Sequence, residues 1–110
     1  MKENRDNLYL ERILASIDIA EHHLIGFEFD NFAQDQKTYD AVLMQIINIG
    51  EMVNRLSEDF REKHHNLPWY EAVGMRNQIA HGYFEIKREV VWNTAKKDLP
   101  ALKKQIEKVL

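Results

Sequence analysis

Between Asp35 and His65, the apolar residues Tyr39, Val42, Leu43, Ile46, Val53, Leu56 and Phe60 recur at the three-and-four spacing of a single helix face. A stripe of that length constrains the fold more than any other feature, because it must be buried against other helices. Asp35 suits the N-cap of this spine helix. A shorter stripe precedes it, with Leu10, Ile13, Leu14, Ile17, Ala20 and Leu24 on one face of a helix that should end near Gly26. Pro68 fits the first turn of a third helix, since its missing N–H would be unpaired there in any case. Gly82 suits a left-handed position ending that helix. A fourth helix starts near Lys87, and Pro100 is expected to divide it in two. With only 4 Gly and 2 Pro among 110 residues, long irregular segments have little room. The reading is all-α: one domain, 1–110, folded as an antiparallel four- to five-helix bundle.

Composition narrows the function. A charged fraction of 30% beside an apolar fraction of 45% describes a globular chain. The absence of cysteine excludes disulfides, thiolate zinc sites and cysteine nucleophiles. The opening MKENRDNLYLERILAS carries charges where a secretory signal needs an apolar run, and no stretch is long enough to span a bilayer. A cytoplasmic protein without a membrane partner is expected. A formal charge of −3 argues against coating long nucleic acid, yet leaves room for a site that handles one phosphodiester. The lysines from Lys96 to Lys108 read as a solvated helix face. His22-His23 and His64-His65 are adjacent pairs whose side chains diverge by about 100° on a helix, so neither pair chelates a metal. Trp69 and Trp92 read as packing anchors.

The chemistry concentrates in GMRNQIAHGYFE, from Gly74 to Glu85. Asn77 and His81 are one turn apart on a shared helix face. Arg76 and Tyr83 would be nearly eclipsed if the helix ran that far, whereas Arg76 and His81 diverge by about 140° on one straight helix. Arg76 and His81 can therefore meet one substrate only if the helix ends at His81, or if a second chain completes the site. Histidine can take or give a proton at neutral pH, arginine forks onto two phosphate oxygens, and Asn77 can orient the imidazole or donate to a phosphoryl oxygen. These are parts for RNA cleavage without metal or cofactor. The RNA 2′-hydroxyl attacks phosphorus, a base takes its proton, a cation stabilises the phosphorane, and an acid protonates the leaving 5′-oxygen. One histidine does not readily serve as base and acid in the same step, but two copies across a two-fold axis can, which favours a homodimer.

The segment MRNQIAHGY resembles the signature of the HEPN superfamily, and in particular the HepT-like ribonuclease toxins. Their motif, Arg, four residues, His, any residue, Tyr, is matched by Arg76, His81 and Tyr83. TYDAVLMQIINIGEMVNRLS, with Gly50 and Glu51, resembles that family's second helix. LPWYEAVGMRNQIAHGYFEI and VVWNTAKKDLPALKKQI are similar to its catalytic helix and its tail. The resemblance implies a helical homodimer, with Arg76 and His81 of both chains forming a ribonuclease site in the cleft and Asn77 in support. It further implies a nucleotidyltransferase antitoxin that silences the toxin by AMPylation of Tyr83, adding bulk and negative charge that would satisfy Arg76 in place of RNA. Glu51 would hydrogen-bond toward the third helix or a partner chain without being catalytic. The rival from another class is a non-catalytic nucleotide- or RNA-binding HEPN module that regulates the transferase. A phosphorelay bundle built on one exposed histidine ranks last.

Overall fold

The computed structural model describes the backbone of residues 2–110 and the side chains from Arg5 onward, so the first residues of the opening stretch lie outside the description. The helices are α1 (Lys2–His23), α2 (Phe29–Gln34), α3 (Gln36–Arg55), α4 (Glu58–Lys63), α5 (Trp69–His81), α6 (Arg88–Asn93) and α7 (Leu99–Val109). A π-helical segment, Thr94–Asp98, joins α6 to α7 in one continuous run. No strand occurs among the described residues. Four long helical runs, α1, α3, α5 and α6–α7, form the bundle, and the short α2 and α4 sit at corners.

Paired contacts along these runs give their directions. Asp6, early in α1, bonds Ser57 just beyond α3. Glu51, late in α3, pairs with Arg76, while Asp40, early in α3, bonds Tyr83 beyond the end of α5. Asp18, late in α1, pairs with Lys103 of α7. Neighbouring runs are thus antiparallel. The core contains the two stripes read from the sequence: Leu10, Ile13, Ile17, Ala20 and Leu24 face Tyr39, Val42, Leu43, Ile46, Val53 and Leu56. The remaining stripe residues, Leu14 and Phe60, are partly buried against them.

The spine differs from expectation at one place. The sequence predicts a single helix through His65, but α3 stops at Arg55 and α4 restarts at Glu58. The break has a local cause. The Ser57 Oγ accepts from the N–H of Phe60, capping α4, and the Ser57 N–H and Oγ both donate to the buried Asp6 carboxylate, at 2.8 and 2.7 Å. A buried carboxylate is tolerated when its lone pairs are filled in this way. Asp35 caps α3 as expected, accepting from the N–H of Thr38 at 3.0 Å. Pro68 stands at the N-cap of α5 rather than inside its first turn. Trp69 is buried, and its indole N–H donates to the His64 carbonyl at 3.0 Å. Trp92 packs edge-on against Phe29 and lies tilted against Phe32, so both tryptophans are packing anchors.

Two glycines behave differently from each other. Gly26 has φ 82, the left-handed turn that releases the chain from α1. Gly82 ends α5 with φ −154, so its stop is not the left-handed one expected. Pro100 does not sever the last helix. The wide π turn lies immediately before it, where a proline ring would collide with the carbonyl one α-turn back.

Gly50 sets the spacing between α3 and α5. A Cβ there would lie 2.3 Å from the Arg76 Cβ and 3.1 Å from the Ala72 carbonyl oxygen. Gly50→Ala should therefore force the two helices apart and cost about 1–3 kcal/mol. Urea unfolding checks this, with a lowered midpoint expected at an unchanged slope.

Candidate active site

Arg76 is positioned by helix packing before any ion pair is counted. Its stem lies on the bare backbone of Gly50, which turns the guanidinium along α3 rather than out to solvent. There Nη2 meets Glu51 Oε1 at 2.6 Å, while Nη1 donates to Asn77 Oδ1 at 3.0 Å. The ion pair is about one-third exposed on both sides, so a ligand can reach it. The Arg76 Nε is buried and has no hydrogen-bond partner. Gly50 and Glu51 thus act as a unit, one making room and the other holding the charge. Glu51 bonds toward α5, in line with the sequence reading.

His81 is the last residue of α5, and its side chain is exposed. No hydrogen bond or ion pair engages its ring among the described residues. It borders an open cleft of about 440 Å³ with Gln78, Gly82, Glu85, Ile86, Lys87 and Val90. Asn77 is exposed one turn before it. One chain thus offers one anchored arginine and one unheld imidazole. The helix does end at His81, the first of the two conditions under which Arg76 and His81 could share a substrate.

Tyr83 is elsewhere. Because α5 stops, the chain turns, and the phenol reaches back to the start of α3. Its hydroxyl donates to Asp40 Oδ1 at 2.5 Å and accepts from Gln36 Nε2 at 2.8 Å. Gln36 Nε2 also donates to Asp40 Oδ1, and its amide oxygen accepts from Arg88 Nη2. Arg88 in turn donates to the Ala33 carbonyl at 2.9 Å and lies 4.0 Å over the Tyr39 ring. Within one chain, then, the Tyr83 hydroxyl does not approach Arg76. Their partners on α3, Asp40 and Glu51, stand about 16 Å apart at 1.5 Å per residue. Spacing alone missed Asp40, Gln36 and Arg88. The signal it held was the one-turn separation of Gln36 from Asp40, which cannot say what the shared face meets.

The hydrogen bond to Asp40 pushes the Tyr83 phenol above its ordinary value, aided by burial and by the charges of Asp40 and Tyr39 and opposed by Arg88. Burial raises Tyr39 too, with Arg88 opposing and Asp40 adding. Among the described residues, no group of three or more His, Asp or Glu side chains could hold a metal ion. Nor is any helix among the described residues long and apolar enough to cross a membrane.

Arg76, Asn77 and His81 thus lie on one helix of an all-helical bundle, and similarity to known proteins gives that bundle its class. Residues 13–109 match the family model described as ribonuclease HepT-like. A candidate RNase of Caldanaerobacter subterraneus is 36% identical over 93% of this chain and 91% of its own length. A Thermococcus cleftensis protein named "Probable ribonuclease HepT" is 37% identical over 92% of each chain. A Methanocaldococcus jannaschii protein joining a gamma-glutamylcyclotransferase to a candidate RNase is 36% identical over 94% of this chain and 46% of its own length. No solved structure matches. The chain belongs to the HepT-like ribonuclease family.

A phenol whose pKa is raised by folding contributes stability that is whole below its unfolded value, about 10, and is lost as pH rises through the folded value. The fold should therefore weaken from about pH 10 upward, and Tyr83→Phe should weaken less steeply. Urea unfolding at pH 8, 10 and 11 checks the difference.

Proposed function

We propose that this chain is a metal-independent endoribonuclease toxin, active as a homodimer and silenced by a nucleotidyltransferase antitoxin that AMPylates Tyr83. The observation carrying the reading is the pairing of a guanidinium anchored by Gly50 and Glu51 with an unheld histidine at the end of the same helix. Arg76 has five N–H donors, so it can keep Glu51 and still fork onto a phosphodiester. As the 2′-hydroxyl attacks, Arg76 stabilises charge on the phosphorane, one His81 takes the proton, and the partner copy's imidazole supplies a proton to the leaving 5′-oxygen. Asn77 keeps Arg76 aligned. A 2′,3′-cyclic phosphate and a 5′-hydroxyl result.

The dimer reading has support of its own. The main packing partner of α5 is α3, and a groove of about 570 Å³ is left between α5 and α7. Ala72, Gly74 and Met75 line it from α5, facing Leu99, Ala101 and Leu102 across the gap, with Ile46 and Ile49 at its base. A second copy of α5 against this face would bring two His81 side chains toward one cleft. Tyr83 is partly exposed beside the fully open Phe84, which leaves it within reach of a modifying enzyme.

The test is cleavage of a defined RNA in excess EDTA, with the new ends read by mass spectrometry and mass in solution read by sedimentation. Wild type should sediment as a dimer and yield cyclic phosphate ends. His81→Ala should lose about 10²–10⁴-fold in rate, and Arg76→Ala a comparable factor. Retained RNA binding by a folded dimer that cuts nothing would make the same cleft a binding module.

A further inference from the structure

The hydrogen-bond cluster around the Tyr83 hydroxyl is more elaborate than anchoring a turn requires. A carboxylate accepts a hydrogen bond from the phenol, an amide donates to the same oxygen, and that amide is held by a guanidinium. The amide, Gln36, touches Tyr83, Asp40 and Arg88 together, which fixes the three relative to one another. These are the groups a hydroxyl needs to act as a nucleophile toward phosphorus: somewhere for its proton to go, and positive charge near the phosphoryl oxygens.

We propose that Asp40 is the proton acceptor for nucleotidyl transfer to Tyr83, with Arg88 standing by the incoming phosphoryl group. The inference rests on the reading of Tyr83 as the acceptor residue and adds the chemistry that makes it one. The co-substrate is a nucleoside triphosphate delivered by the transferase. The Tyr83 oxygen forms a bond to the α-phosphorus, the bond from that phosphorus to pyrophosphate breaks, and pyrophosphate leaves. The phenolic proton passes to the Asp40 carboxylate and from there to water. The phenol holds its proton more tightly than an ordinary tyrosine. Free phenolate is therefore scarce at neutral pH, and a base in contact matters more. The charged and titratable groups facing this hydroxyl are Asp40 and Tyr39 from α3 and Arg88 from α6.

Asp40→Asn tests the proposal with little change of shape, because the amide oxygen still accepts from Tyr83 while the base is gone. Transfer of labelled nucleotide from ATP and magnesium by the partner transferase should slow by about 10²-fold. The remaining rate should rise about tenfold per pH unit between pH 6 and 9, because phenolate must then form before attack. A tether alone would leave the pH profile unchanged. Transfer by Asp40→Asn at or above the wild-type rate would overturn the proposal.

A second measurement needs no transferase. Phenylmethanesulfonyl fluoride forms an O–S bond with a tyrosine as fluoride leaves, so the phenolic proton again needs an acceptor. Peptide mass spectrometry should show Tyr83 sulfonylation about tenfold slower in Asp40→Asn, less than the ~10²-fold of a general base acting in a complete active site. Tyr70, 87% exposed, serves as the internal reference. An unchanged ratio of Tyr83 to Tyr70 labelling would remove Asp40 as the base. If wild-type Tyr83 is sulfonylated in an Asp40-dependent way but receives no nucleotide, the acceptor-residue reading fails and Asp40's role as a base survives.

Discussion

The approach of α3 to α5 at Gly50 is the constraint on which the functional end of this molecule depends. A glycine at this point of the spine costs helix propensity. It also permits the Arg76 stem to lie against the α3 backbone, where any side chain would collide. Once the stem is there, Glu51 is within reach of the guanidinium, and Asn77, next in the chain, completes the holding group. The arginine is thus placed by backbone proximity, and the ion pair refines what the packing has already decided. An exposed surface pair would hold it less well, since such pairs contribute little once side-chain entropy and screening are counted.

The bundle was legible because its cores are periodic. The stripes of α1 and α3 name most of the buried residues, and Asp35 marks the start of the spine correctly. What was not legible depended on partners remote in sequence. The break at Ser57 follows from Asp6, far away in the chain, and no local rule signals it, since the hydrophobic spacing runs on through Leu56 to Phe60. Pro100 has the opposite lesson. A local rule says divide, and the helix accommodates the ring with a wider turn instead. Gly82 stops α5 as its residue type predicts, but without the left-handed turn that usually goes with it.

The site divides in the same way. The candidate residues Arg76, Asn77 and His81 share one helix and follow from spacing and chemistry alone, and of the two directions open to Glu51, the third helix or a partner chain, it takes the one toward α5. The hydrogen-bond cluster at Tyr83 draws on three segments, the start of α3, the turn after α5 and the start of α6, so it exists only once the bundle has closed. The same contacts fasten that turn to the bundle: Arg88 holds the end of α2 through the Ala33 carbonyl and stacks on Tyr39, fixing where the chain emerges after Gly82.

The separation of Tyr83 from Arg76 along α3 limits how one could influence the other. About 16 Å is twice the distance over which salt at cellular strength screens exposed charges, about 8 Å. Negative charge added at the phenol therefore does little to the field at the arginine of the same chain. Any influence of the phenol on the Arg76 end of the same chain has to pass through bulk and packing rather than through the field. Loss of the phenol would leave the Arg76, Glu51 and Asn77 grouping intact, since none of those contacts touches it.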